Sequence, residues 1–174
     1  MNLVRRKIIN TKTSVNSSIE RHPVPVLGVD YKVQIVYKNI KITELNVEGK
    51  TIKISLPNKY KKMSNTEILD LAIEKMYEQI AYVEIERAME KTRIMLGFAP
   101  EEYEIAKIKT LGICKNDKIT INPEVVKYKR EVIDYVVLHQ YCHLKYKTHS
   151  KGFMKMIETY KPDYKKCEDI LMNI

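Results

Sequence analysis

The 174-residue sequence lacks the features expected of a secreted or membrane protein. Its three cysteines, Cys114, Cys142 and Cys167, are an odd number, lie far apart and form no CxxC pair. They argue against a disulfide framework and predict a reducing compartment, the cytoplasm. No apolar run approaches the roughly 18–20 residues that span a bilayer. No such run follows the basic residues 5–7, so a secretory signal is not expected.

The sequence also has no tryptophan, only two phenylalanines, and few glycines and prolines. We find no internal repeat and no low-complexity tract. Hydrophobic residues make up 44% of the chain and charged residues 30%, which is typical of a folded globular protein. A chain of this length predicts one compact domain rather than two.

The positive charge comes almost entirely from lysine. The formal net charge is +9, from 31 basic and 22 acidic residues, but only six of the basic residues are arginine. Arginine is the usual residue for bidentate contacts to bases and phosphates. The composition therefore leaves weak binding to nucleic acid through the basic surface open and argues against dedicated nucleic-acid recognition.

The order of the periodic patterns predicts an α+β fold. Residues 1–26 are expected to form an N-terminal arm, because Pro23 and Pro25 cannot donate main-chain hydrogen bonds to a sheet. Residues 27–174 are predicted to form a single domain. Alternating apolar residues over 31–57 predict a small antiparallel N-terminal sheet of two or three strands.

Helical patterns dominate the rest of the sequence. Ser64 and Glu67 predict a capping box at the start of a long helix over residues 65–96. A second clear helical pattern covers residues 130–147. The remaining predicted elements are short strands over 105–110 and 118–122 and two C-terminal helices over 151–160 and 163–172.

A cluster of histidines carries the chemistry. Of the four histidines in the chain, His139, His143 and His149 lie within eleven residues. Positions i and i+4 share one helix face, so His139 and His143 can bind one metal ion, and His149 can return as a third ligand. Three histidines with an open fourth position are typical of catalytic zinc, and the +10 offset of His149 is that of the long zincin motif. Two alternatives stay open: unrelated surface histidines, and Fe, Ni or Cu on the same imidazoles.

Motifs around these histidines resemble those of a known family. The relevant stretches are Leu111-Gly112-Ile113-Cys114, Ile119-Thr120-Ile121-Asn122-Pro123, Asp134-Tyr135-Val136-Val137, His139-Gln140-Tyr141-Cys142-His143 and Thr148-His149-Ser150, with Phe153 shortly after. They are similar to the Trp-Gly-Ser-Cys, strand-Asn, Asp-Tyr-Val-Val, His-Glu-x-x-His and Asn-His-Ser motifs of YgjP-like metallopeptidases, relatives of SprT-like zinc proteases. The resemblance extends from about Tyr31 to the end of the chain.

This resemblance implies a fold and a set of site residues. The fold would be zincin-like, with a small antiparallel N-terminal sheet, a long helix, short strands beside an active-site helix, and C-terminal helices. Zinc would be bound by His139, His143 and His149. A polypeptide would be the substrate or ligand, and no membrane partner is expected.

The chain departs from the family at one decisive position. Gln140 stands where the family has the glutamate that accepts a proton from the zinc-bound water. A glutamine amide has nearly the same shape but no useful basicity near neutral pH. The resemblance therefore implies a zinc-dependent metallopeptidase domain that is inactive or very slow as written, through an engineered or a natural Glu-to-Gln change. The alternative is a zinc-stabilised pseudopeptidase that binds polypeptide or nucleic acid.

Several nearby residues are predicted to have structural or supporting roles. Leu111 and Ile113 are predicted to pack in the core, and Gly112 is predicted to form a tight turn with positive φ. The strand 118–122 is either a free edge for an extended substrate or an ordinary internal strand. Asp134 could orient a histidine or act as a carboxylate near a helix start.

Two further residues are predicted to lie outside the metal site. Cys142 points about 100° away from His143 around the helix and is predicted to be a core thiol. His22, far away in sequence and next to a proline, is expected to be structural or exposed.

Overall fold

The protein has the predicted α+β fold in a computed structural model that describes residues 23–172. Its elements follow in the order β1 (Val24–Val26), β2 (Val29–Lys38), β3 (Glu44–Glu48), β4 (Thr51–Pro57), α1 (Asn65–Leu96), β5 (Glu102–Ile105), β6 (Gly112–Lys115), β7 (Lys118–Ile121), α2 (Arg130–Lys145), α3 (Lys151–Tyr160) and α4 (Tyr164–Met172). Short 3-10 helices cover Asn58–Lys62 and Pro123–Lys127. No helix within the described range combines the length and apolar character needed to cross a membrane.

The N-terminal sheet is mixed, not antiparallel as the sequence predicted. Its strand order is β1-β2-β4-β3, and β2 pairs with β4 in parallel. The buried residues Ile52, Ile54 and Leu56 make β4 the most apolar strand, so it occupies a central position. The β3–β4 hairpin is antiparallel and leaves β3, with the exposed Glu44 and Glu48, at the edge. The alternation of apolar and polar residues shows which residues form strands. Which strands become neighbours in the sheet depends on how deeply each whole strand is buried.

The first described residues belong to this sheet. Val24–Val26 was predicted to be part of an arm, but it forms edge strand β1 and pairs with β2 antiparallel. Proline is tolerated there because one side of an edge strand needs no ladder hydrogen bond. The rest of the predicted arm, residues 1–22, lies outside the described residues.

Helix α1 begins and ends as the sequence predicts. The Ser64 side chain accepts from the Glu67 main-chain N–H, and the Glu67 carboxylate accepts from the Ser64 N–H, so the capping box is complete. Gly97 ends the helix with φ of +74° in the left-handed region. The result is a continuous 32-residue helix against which the second half of the chain packs.

The second sheet positions a hairpin beside α2. Its strand order is β5-β7-β6, with β5 parallel and β6 antiparallel to β7. Asn116 and Asp117 form the β6–β7 turn with φ of +50° and +58°. The strand predicted over residues 105–110 is instead β5, which ends at Ile105. Strand β6 packs directly against α2.

Helix α2 is covered on two sides. One side contributes Ile133, Val137 and Tyr141 to the large core shared with α1 and both sheets. The other side contributes residues such as Cys142 to a smaller core with α3 and α4. The buried Cys142 thiol confirms its predicted place in the core. Polar residues on α2 are therefore confined to the narrow strips between two apolar contacts.

Candidate metal centre

His139 and His143 lie one turn apart on α2, as their spacing predicts. Their ring centroids are 5.0 Å apart, and both side chains are half-buried. The apolar contacts on both sides of α2 hold this strip of the helix in place, so the two rings project from a rigid element.

His149 reaches the same point from the link between α2 and α3. The Ser150 side chain accepts from the Phe153 main-chain N–H and caps α3, which places the preceding residue against α2. The His149 Nε2 atom lies 3.1 Å from His139 Nε2 and 3.3 Å from His143 Nε2. Nitrogens bound tetrahedrally at about 2.0–2.1 Å from one zinc ion would be about 3.3–3.4 Å apart. The three imidazoles therefore fit a single metal ion.

Phe153 forms the base of the site. Its ring centroid is 5.0 Å from that of His139, 4.8 Å from His143 and 4.6 Å from His149. The side chain is fully buried, whereas His149 is exposed. The imidazoles thus pack on an apolar surface on one side and meet solvent on the other.

Hydrogen bonds select the ring nitrogen that faces the shared point. His143 Nδ1 lies 3.0 Å from the Tyr146 main-chain oxygen, which can only accept, so Nδ1 carries the proton and Nε2 keeps its lone pair. The Tyr146 ring packs on Gly152, where an added Cβ would lie 2.7 Å from the ring. Sequence reasoning missed Tyr146, because nothing in the motif indicates a main-chain acceptor.

The electrostatic environment keeps His139 neutral. Burial lowers its pKa to about 4, and the neighbouring His143 and His149 act in the same direction because they disfavour another positive charge. A metal ligand must be the neutral imidazole, so this group is already in its binding form at neutral pH.

Gln140 is buried beside strand β6. A Cβ added at Gly112 would lie 3.0 Å from Gln140 Cγ and 3.1 Å from Gln140 Nε2. The prediction that Gly112 forms a positive-φ turn is wrong: it lies within β6, and the positive-φ glycines of the described chain are elsewhere. Glycine is used here for close approach, because any side chain would contact residue 140.

Other sequence predictions near the site have mixed outcomes. Asp134 contacts no histidine; its carboxylate lies 2.7 Å from Arg87 Nη2 and 2.6 Å from Lys91 Nζ, which joins α2 to α1. Leu111 packs against the core as predicted. Ile113, predicted to pack, is 46% exposed because it projects from the outer face of β6. His22 lies outside the described residues.

The strand proposed as a free edge is internal. β7 lies between β5 and β6, so of the two interpretations left open for residues 118–122 the internal strand is confirmed and the free edge is wrong. β6 is the outer strand beside α2 instead, with no strand partner on its far side within residues 23–172. The sequence analysis did not predict β6 as a strand, because Gly112 was expected to lie in a turn.

Two cavities of the described residues lie away from the three histidines. A cavity of about 680 Å³ lies between β1, α1 and the 3-10 helix at Pro123, and none of the three histidines lines it. A second cavity, of about 540 Å³, lies over the outer face of the second sheet and is lined by Ile113, Lys115 and neighbouring residues. The histidines border solvent directly through His149.

Comparisons with known proteins identify the family of this chain. The family model described as YgjP-like, metallopeptidase domain, matches residues 2–173. The crystal structure of the zymogen of Pyrococcus abyssi abylysin, a metallopeptidase, is 27% identical, with a TM-score of 0.46 over 51% of this chain and 92% of that chain. The zymogen of Methanocaldococcus jannaschii jannalysin, also a metallopeptidase, is 18% identical, with a TM-score of 0.45 over 51% and 94%. No curated protein matches. The family model spans nearly the whole chain, which therefore belongs to the YgjP-like metallopeptidase domain family.

Proposed function

We propose that His139, His143 and His149 bind one zinc ion through their Nε2 atoms. The observation that carries this proposal is the convergence of the three Nε2 atoms, with separations of 3.1 and 3.3 Å at His149. When bound, zinc supplies a Lewis acid that polarises a carbonyl and lowers the pKa of a bound water to about 7. Iron, nickel or copper on the same ligands would be distinguished by elemental analysis of the purified protein.

Gln140 occupies the position of the general base. Its side chain follows His139 on α2 and is held between the helix and β6 by Gly112. An amide can donate a hydrogen bond to water or accept one from it, but it cannot take up the proton that an attacking water must lose. General acid–base catalysis contributes about 10²–10⁴ in rate, and the chain as written lacks that contribution. We therefore expect it to cleave peptide bonds very slowly or not at all.

Strand β6 is the proposed docking edge for an extended polypeptide. The Asn122 N–H donates to the Leu111 oxygen, and in an antiparallel pair the bonded residues alternate. The main-chain N–H and C=O groups of Ile113 and Lys115 therefore point to β7. Those of Cys114 point to the outer edge of the sheet. Added strands of this kind obtain affinity from main-chain hydrogen bonds.

The test is the reversion Gln140→Glu in the full chain. We expect the revertant to cleave an unfolded polypeptide about 10²–10⁴ times faster than the parent, with unchanged zinc affinity. Mass spectrometry of the fragments measures the cleavage rate. His149→Ala in the revertant should remove both zinc and cleavage. Gln34→Glu, the same charge change on β2, is the matched control and should leave the rate unchanged. A revertant that binds zinc yet leaves unfolded, peptide and crosslinked substrates intact would refute an active parent.

Gln140 itself favours a second candidate function, a zinc-stabilised pseudopeptidase that binds without cutting. This candidate requires tight polypeptide binding whether residue 140 is Gln or Glu. If nucleic acid is the ligand instead, the lysine-rich surface should give affinity that falls steeply with salt. The cytoplasmic location expected from the cysteines stays a prediction.

A further inference from the structure

A hydrogen-bonded chain runs from the C-terminal helix to the metal site. The Tyr135 hydroxyl donates to Glu168 Oε1 on α4 at 2.8 Å and lies 3.4 Å from His139 Nδ1. Tyr135 and His139 are one turn apart on α2, and their rings meet edge to face with centroids 5.8 Å apart. Three side chains from two helices are therefore arranged in series, and the last is a candidate ligand.

The chemistry of the three groups sets the direction of the chain. A tyrosine hydroxyl has one proton, and an ionised carboxylate can only accept, so this proton is directed to Glu168. The hydroxyl lone pair is then left for His139 Nδ1, which must supply the N–H.

The consequence concerns the tautomer of His139. With the proton on Nδ1, the lone pair is on Nε2, the atom that lies 3.1 Å from His149 Nε2. His143 obtains the same tautomer from the Tyr146 main-chain oxygen. The hydrogen bonds that hold His139 differ from this, because they come entirely from side chains. One of these side chains, Glu168, belongs to α4, which contributes no ligand.

We infer that Tyr135 and Glu168 are positioning residues of the metal centre, which hold His139 in the tautomer that presents Nε2 to the metal. The inference rests on the proposed three-histidine site. It makes α4 part of that site: without the carboxylate, the Tyr135 proton is free to turn toward His139 Nδ1 and to favour the opposite tautomer. Outer hydrogen-bond partners of this kind contribute about 10–100-fold to metal affinity.

The test measures zinc affinity of the full chain by competition with a chromophoric chelator. We expect Tyr135→Phe and Glu168→Ala each to weaken zinc binding about 10–100-fold. The double variant should lose no more zinc affinity than the single variant with the larger loss, because both changes interrupt one series of hydrogen bonds. Independent, additive losses would contradict a shared role.

The matched control is Tyr141→Phe. The Tyr141 hydroxyl also lies on α2, is buried, and donates to the Met89 main-chain oxygen at 3.1 Å, but on the side of the helix away from α4. Its loss should lower the free energy of unfolding and leave zinc affinity unchanged. Glu158→Gln on the exposed face of α3 controls for the lost acidic charge. A tenfold or greater weakening beyond these controls supports the inference, and a smaller one overturns it.

A second readout does not depend on metal. Nitrogen-15 NMR of the histidine rings in the metal-free protein reports which ring nitrogen carries the proton. We expect His139 to be protonated at Nδ1 in the parent and to shift toward Nε2 in Glu168→Ala. An unchanged tautomer overturns the inference even if affinity falls. If His149→Ala leaves zinc affinity unchanged, the proposed three-histidine site itself fails, which is a different result.

Discussion

Substitution of Gly112 by alanine tests how closely β6 is packed on residue 140. The new Cβ would lie 3.0 Å from Gln140 Cγ and 3.1 Å from both Gln140 Nε2 and Ile121 Cδ1. Gln140 and Ile121 are buried, so neither can move aside freely. Overpacking of this kind costs about 1–3 kcal/mol, and the melting temperature should fall by about 2–4 °C for each kcal/mol.

The sign of this effect is the informative part. Gly112 has no positive φ, so without the contact alanine would be expected to stabilise a strand by about 0.4–1 kcal/mol. We therefore expect Gly112→Ala to destabilise the parent and to destabilise a Gln140→Ala variant less, because only the contact with Ile121 Cδ1 then remains. Urea unfolding at constant m-value measures both effects. An equal effect in both backgrounds would show that residue 140 does not limit the space.

Two other predictions concern stability. Phe153→Ala should lower the free energy of unfolding by about 3–5 kcal/mol, because the ring is fully buried under the three imidazoles. It should also weaken zinc binding. Phe153→Leu should lose less stability in urea unfolding and less zinc affinity in chelator competition. The buried Glu84 is held by Arg130 at 2.6 Å and by Arg87 at 3.1 Å, and these hydrogen bonds, that of Arg130 foremost, lower its pKa. The contribution of the Glu84 carboxylate to the free energy of unfolding is therefore complete above its pKa in the unfolded chain, about 4.3. It is lost as the pH falls through the lower pKa of the folded protein. Unfolding at pH 7 and pH 3 should show a smaller acid-induced loss for Glu84→Gln than for the parent, and equal losses would contradict the assignment.

Features that depend on neighbours in sequence could be predicted. The ends of α1 follow from Ser64, Glu67 and Gly97, and the shared face of His139 and His143 follows from helical spacing alone. His149 was placed by a motif offset, and the structure brings it to the other two. These predictions needed no knowledge of which elements pack together.

Features that depend on pairing between distant elements were missed or wrong. The parallel β2–β4 pair, the internal position of β7 and the close approach of Gly112 to Gln140 are all decided by three-dimensional packing. Glu168 reaches the site from α4 through Tyr135, and one sequence without related sequences carries no signal for such a contact. Glu84 was missed for the same reason, because its arginine partner Arg130 lies on another helix.

The short link between α2 and α3 has a consequence for the order of folding. His139 and His143 come into register as soon as α2 forms, whereas His149 and the Phe153 ring arrive together, when α3 docks. An ion bound by all three imidazoles must therefore be captured after that docking step, or must draw the two helices together as it binds. Metal uptake by a refolding chain would report on completion of the C-terminal half, and zinc added during refolding should accelerate the last phase rather than the first.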